Sequence, residues 1–277
     1  MTQDKCPCGC GKDYEKTMHQ PLAYIHSDTN IARNVVIEPF VTIEKNVSIG
    51  EGTWIGSNVT IMEGAQIGKN CRIFPGAVIS AIPQDLKFNG EYSLTIIGNN
   101  CTIRECATIN RGTSASGKTI VGDDCLIMAY AHIAHDCIIG NNCIIVNSVS
   151  LGGHVKIGDF AIIGGLSAVH QFASIGKHSM VSGGSLVRKD VPPYVKAARE
   201  PLSFVGINSI GLRRREFSDS KIKEIQDIFR ILYQKNLNNT QAILKIETEI
   251  DASPERDEII SFVQNSGRGI MKGFNQK

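Results

Sequence analysis

Apolar residues recur along this chain at every sixth position. The series runs Ile25, Ile31, Ile37, Ile43, Ile49, Ile55, Ile61, Ile67, Ile73 and Ile79, resumes as Ile97, Ile103 and Ile109, and resumes again from Val121 to Val187. Every member is Ile, Leu or Val, and both interruptions are multiples of six. A helix would give a period near 3.6 and a half-buried strand a period of about two, so neither accounts for the pattern. The fourth place of a block is often Asn, Asp or Gly, as at Asn46, Asn58, Gly64, Asn70, Asn100, Asp124 and Asn142. These residues best tolerate the left-handed backbone of a sharp corner. The fifth place is small. Short strand, corner and repeat predict a parallel β-helix with one aliphatic side chain per block stacked inward. With three blocks to a coil, residues eighteen apart lie above one another, about 4.8 Å apart.

The two interruptions, residues 80–96 and 114–120, are expected as loops thrown out from the coil, where repeat proteins usually place function. Beyond Pro192 and Pro193 the rule of six stops. Ser218 caps an expected helix from Asp219 to Gln234, a second begins near Thr240, and a third is signalled by Ser253 as cap with Pro254 behind it. The expected organisation is therefore a tail over residues 1–20, a β-helix over 21–195 and a helical domain over 196–277. The tail holds Cys6, Cys8, Cys10 and His19, which do not match a four-ligand zinc spacing.

Composition narrows the classes. At 277 residues with 42% hydrophobic residues the chain can bury a substantial core. A net charge of +2 gives no basis for a nucleic-acid partner, and no apolar run is long enough to span a bilayer. The N-terminus lacks a signal peptide's design, so a cytoplasmic protein without a transmembrane segment is expected. Cys71, Cys101, Cys125, Cys137 and Cys143 all occupy the fifth place of a block, which reads as small core residues rather than a disulfide framework.

Between Val121 and Pro192 lie five of the seven histidines: His132, His135, His154, His170 and His178. Stacking by eighteen puts His135, Gly153 and Gln171 in one column, with His132 and Asp136 beside its start, His154 beside its middle and His170 beside its end. A single surface histidine is usually polar decoration, but four along one edge point to chemistry near neutral pH. His135 next to Asp136 reads as a general base with its orienting acid. Gly153 offers an unobstructed backbone N–H able to hold an oxyanion. A base and an oxyanion donor without a Ser or Cys nucleophile suggest direct attack by a substrate hydroxyl on an acyl donor. Zinc held by His132, His135 and His154 is the competing reading.

The runs Gln84-Asp85-Leu86-Lys87, Ile109-Asn110-Arg111-Gly112-Thr113, Ala131-His132-Ile133-Ala134-His135-Asp136, Gly152-Gly153-His154 and Val169-His170-Gln171-Phe172 resemble the UDP-N-acetylglucosamine O-acyltransferase family. So do Asp190-Val191-Pro192-Pro193-Tyr194 and the run from Asn208 to Arg215. The resemblance covers nearly the whole chain from Pro21 onward and implies a left-handed coil, which periodicity alone does not fix. It implies that His135 deprotonates the sugar 3-hydroxyl, which attacks a 3-hydroxyacyl thioester on acyl carrier protein in the first step of lipid A synthesis. Asp136 would orient His135, and the Gly153 amide would hold the oxyanion.

By the same resemblance Asp85, Lys87, His132, His154, His170 and Gln171 meet sugar, phosphate or acyl chain. Asn208, Arg214 and Arg215 meet the nucleotide or the phosphopantetheine-bearing partner. Gly183 matches the family's chain-length position, and a glycine there implies an open channel and a long acyl chain. Ile210 stands where the family often has an acid. The family is a homotrimer with its site between subunits, and it needs no metal or other cofactor. Two related alternatives remain at this point: a zinc enzyme of the hexapeptide carbonic anhydrase type, whose histidine spacing differs, and a sister sugar N-acyltransferase, whose additional N-terminal domain twenty-odd residues cannot supply.

Overall fold

The computed structural model describes residues 18–19, 22–234 and 237–273; the cysteines of the tail lie outside them. The chain winds into a left-handed parallel β-helix of three faces. Strands such as Leu126–Ile127, Ile144–Ile145 and Ile162–Ile163 form the first face, His132–Ile133, Ser150–Leu151 and Ala168–Val169 the second, and Ile138–Ile139, Lys156–Ile157 and Ser174–Ile175 the third. Partners are eighteen residues apart, as in Leu126↔Ile144, His132↔Ser150 and Ile138↔Lys156. This spacing stacks each aliphatic residue on its copy. Ile37, Ile43, Ile55, Ile61, Ile73, Ile79, Ile103 and Ile127 have no exposed surface.

The fifth-place cysteines are buried free thiols. Their Sγ atoms donate to backbone carbonyls of the next coil: Cys101 to Gly122 (3.0 Å), Cys125 to Gly140 (3.1 Å) and Cys143 to Gly158 (3.2 Å). Burial pushes the Cys137 thiol up to about 12, so it stays protonated and serves as packing.

Most fourth places turn the corner with φ near +60°. Asn and Gly do so at Asn46, Asn58, Asn100 and Gly64, but so do Tyr130, Asp136, His154, Phe160, Phe172 and His178. Left-handed backbone costs a non-glycine residue roughly 1–2 kcal/mol. The stacked core imposes the corner wherever the repeat continues, and the residue found there adapts to it. This is how titratable and aromatic side chains come to stand at the corners.

Past the coil, Val195–Ala198 pairs parallel with Met180–Val181 and antiparallel with Ser203–Ile207, which in turn pairs with Lys272–Gly273. Four helices attach through these strands: α1 (Ser209–Arg214), α2 (Asp219–Gln234), α3 (Asn239–Glu249) and α4 (Pro254–Gln264). The expected caps are present, with Ser218 accepting from Lys221 N–H and Ser253 from Arg256 N–H. The short α1 carries no apolar period and was not expected. Among the described residues no helix is long and apolar enough to cross a membrane.

Candidate active site

Both interruptions leave the prism at one corner, the one joining the second face to the third. Strand Val78–Ala81 precedes the first and Thr108–Asn110 the second. Register records them: Val78 pairs with Thr108 and Thr108 with His132, thirty and twenty-four residues apart instead of eighteen. The next two coils carry His135, Asp136, Gly153 and His154 at that same corner.

The His135 ring lies against Gly153. A Cβ at Gly153 would stand 2.6 Å from its Cε1 and 2.7 Å from its Nε2, so any larger residue would displace the ring. Nδ1 of His135 lies 2.7 Å from Oδ2 of Asp136, whose side chain is fully buried. Asp136 in turn accepts from the Thr113 N–H (3.0 Å), the Thr113 hydroxyl (2.6 Å) and the Ser116 hydroxyl, at the entry to the second loop and within it. Burial pushes the Asp136 carboxyl up, but the hydrogen bonds from Ser116, Thr113 and His135 outweigh it and hold it at about 2. An ionised acid on Nδ1 selects the tautomer with its proton there, leaving the Nε2 lone pair to take up a proton.

Around this pair stand the other histidines. His154 stacks on Phe172 at 4.4 Å and meets His135 edge-on at 5.1 Å. His132 shares a hydrogen bond with Thr108 through Nδ1 (2.8 Å), and burial followed by the neighbouring His135 lowers its pKa. His170 is exposed and hydrogen-bonds the Gln171 carbonyl, which Arg268 also approaches. Ligand atoms of His135, Asp136 and His154 lie within 4.8 Å of one another, a spacing that could hold a metal ion. The donors argue against it: each oxygen of Asp136 already accepts two hydrogen bonds, so its lone pairs are taken.

The remaining expected residues are dispersed. Asp85, half-buried, and Lys87, exposed, sit on the first loop, where Oδ1 of Asp85 accepts the Lys87 N–H. Gly183 is at the corner between the first and second faces, with Gly165 O 3.0 Å from where a Cβ would be. Asn208 is buried, caps α1 through Gly211 N–H and donates to the His178 carbonyl (2.9 Å). Arg215 donates to Phe160 O and covers the Phe160 ring, at the corner between the third and first faces. Arg214 and Ile210 are exposed on α1. One prism thus shows these residues on three different corners.

Thr113, Ser116 and Arg111 were missed. Arg111 reaches back to Glu63 O (3.1 Å) and stacks on Phe88, tying the first loop to the coil. Assigning strands to faces in threes would have placed both loops at the histidine corner, and with them these residues.

A hexapeptide-repeat transferase is the class that this coil and this histidine–carboxylate corner define. Models of the hexapeptide repeat match residues 46–81 and 118–153, and the second-domain model of UDP-N-acetylglucosamine O-acyltransferase matches residues 190–271. The acyl-[acyl-carrier-protein]–UDP-N-acetylglucosamine O-acyltransferase of Trichlorobacter lovleyi is 48% identical over 91% of this chain and 98% of its own. The crystal structure of the UDP-N-acetylglucosamine acyltransferase from Bacteroides fragilis superposes with a TM-score of 0.91 at 51% identity, covering 92% of this chain and 100% of that one. That from Acinetobacter baumannii gives 0.89 at 40% identity, over 91% and 99%. The chain belongs to the acyl-[acyl-carrier-protein]–UDP-N-acetylglucosamine O-acyltransferase family.

Proposed function

We propose that the chain moves a 3-hydroxyacyl group from acyl carrier protein to the 3-hydroxyl of UDP-N-acetylglucosamine, the first step of lipid A biosynthesis, with His135 as general base. The observation that carries the mechanism is the 2.7 Å contact of His135 Nδ1 with a buried, ionised Asp136. Nε2 takes the hydroxyl proton as the sugar oxygen attacks the thioester carbonyl. The tetrahedral oxyanion is held by the Gly153 N–H, which has no acceptor among the described residues. Collapse breaks the C–S bond, and the thiolate leaves with the proton that His135 returns.

The dispersal of Gly183, Arg214 and Arg215 over other corners favours a homotrimer in which neighbouring prisms bring these corners together. An apolar ribbon of Leu126, Ile144, Ile162 and Met180 in register along the outside of the first face suits such packing. Asp85, Lys87, His132, His154, His170 and Gln171 line the acceptor and acyl groove, while Asn208 acts by holding α1 and its arginines in place. Arg188 and Lys189 line a cleft of about 770 Å³ three coils along the same corner, roughly 14 Å from His135 by strand spacing. A basic opening there suits an acidic carrier protein whose arm runs down the groove. The reaction belongs in the cytoplasm, where acyl carrier protein is found.

The test is acyl transfer to UDP-N-acetylglucosamine from carrier proteins bearing 3-hydroxyacyl chains of graded length. Turnover is expected, favouring long chains because Gly183 leaves the channel open. His135→Ala is expected to lower kcat about 10³-fold, in the range of general-base loss. A folded His135→Ala protein with unchanged kcat would remove His135 from the mechanism.

A further inference from the structure

The second loop ends its excursion with its hydroxyls on Asp136. Its base is tight: a Cβ at Gly112 would stand 2.2 Å from Lys118 N, so only glycine lets the loop close there. Closure delivers Thr113, 6% exposed, with N–H to one carboxylate oxygen and hydroxyl to the other. Thr119 Oγ1 accepts the Asp136 N–H (2.8 Å), so the backbone of the acid is pinned by the same loop. Ser116 has one hydroxyl proton and two acceptors within reach, Asp136 and the Lys118 carbonyl (2.9 Å). The ionised carboxylate is the stronger acceptor.

We propose that Thr113 and Ser116 are positioning residues for acyl transfer: they aim and ionise Asp136 so that His135 presents a free Nε2. The inference rests on the general-base reading above. Asp136 sits in αL backbone directly beside His135, where adjacent residues do not naturally face each other. Three donors from outside the repeat turn its carboxylate back toward the imidazole. Without them one oxygen would swing, and with it the tautomer and the ring over Gly153. The charged and titratable groups facing Asp136 are His135, His154 at 3.8 Å on the next coil, Cys137 behind it, and Glu91, which holds the loop through the Ser114 N–H. None of these replaces the lost donors.

The experiment compares Thr113→Val, Ser116→Ala, Thr113→Ser and Ser116→Thr with wild type in the full enzyme, recording kcat, KM and the pH profile of kcat/KM. Thr113→Val is expected to lower kcat about 10²-fold with little change in KM, the scale of a small misplacement of a catalytic group. Ser116→Ala is expected to lower it about tenfold. In both, protonation of Asp136 at the acid end of the profile should set in at higher pH, because the carboxyl keeps fewer donors and is protonated more readily. Thr113→Ser and Ser116→Thr keep the hydroxyl and should restore most of the rate and the wild-type profile. Unchanged kcat and pH profile in a folded Ser116→Ala and Thr113→Val would overturn the proposal while leaving His135 as base. An active His135→Ala would instead overturn the reading beneath it. Should Thr113→Val not fold, Ser116→Ala decides alone.

Discussion

Two corners of the same prism handle one problem in opposite ways. At the corner between the third and first faces, the backbone N–H of four successive third-place residues receives an acceptor from the coil that follows. Lys69 N–H donates to Asn99 Oδ1, Asn99 to Asp123, Asp123 to Asn141 and Asn141 to Asp159, at 2.6–2.9 Å. At the corner between the second and third faces, the equivalent column is His135, Gly153 and Gln171, and among the described residues no side-chain acceptor receives the Gly153 N–H. A buried N–H left without a partner costs on the order of 1–3 kcal/mol. The first corner is a ladder that stabilises the coil. The second is the same ladder with its rungs withdrawn, and the withdrawn rung is a vacant donor beside a base. On the proposed mechanism, chemistry sits where the repeat gives up stability.

Restoring bulk at that corner should cost more than disturbing either the first loop or the ladder corner. Gly153→Ala would push a methyl group into the His135 ring at 2.6 Å. Since φ at Gly153 is not in the left-handed region, the fold should survive while kcat falls about 10²-fold, measurable by acyl transfer beside an unchanged melting curve. Releasing the first loop should matter less. Arg111→Met removes the contacts to Glu63 and Phe88 that hold the loop bearing Asp85 and Lys87, and should raise the KM for the sugar nucleotide several-fold, roughly 1 kcal/mol of lost pre-organisation, with a smaller change in kcat.

The ladder corner offers the smallest effect, on stability rather than rate. His178 lies stacked between Phe160 and Tyr194, and burial, then Arg215 and Lys177, lower its pKa to about 4. An unfolded imidazole titrates near 6.5. The native state therefore binds the proton less readily, and this contribution is complete above about pH 6.5 and is lost as pH falls toward 4. His178→Phe keeps the stack and removes the titration, so the fall in Tm between pH 6.5 and 4 should become shallower. An unaltered slope would place the acid sensitivity elsewhere.

The contrast between corners also marks what the amino-acid pattern could reveal. The stacked Ile, Leu and Val residues left a period that nothing else produces, and the eighteen-residue column of His135, Gly153 and Gln171 followed from it. The helices of Ser218 and Ser253 were legible because their caps are local. Thr113 and Ser116 were not, because a hydroxyl twenty or more residues from Asp136 has no period to announce it. The left-handed corners at His154 and Phe172 were equally hidden, since the coil imposes a conformation that those residue types do not favour. Asn208 shows the reverse case: its motif was evident, while its use as a buried cap holding α1 to His178 emerged only from the packing.

Gln171 is the position that tests whether catalysis uses the rung missing above Gly153. Gln171→Asn puts a carboxamide where Asp159 stands over the Asn141 N–H, within reach of the Gly153 amide, whereas Gln171→Ala removes the side chain without supplying an acceptor. Both lose whatever the glutamine contributes to substrate contact. Gln171→Asn is expected to transfer acyl groups about 10²-fold more slowly than Gln171→Ala, the cost of one oxyanion donor, with a higher Tm. Equal rates in the two variants, with Gln171→Asn shown to be capping the amide by its slowed hydrogen exchange, would contradict it.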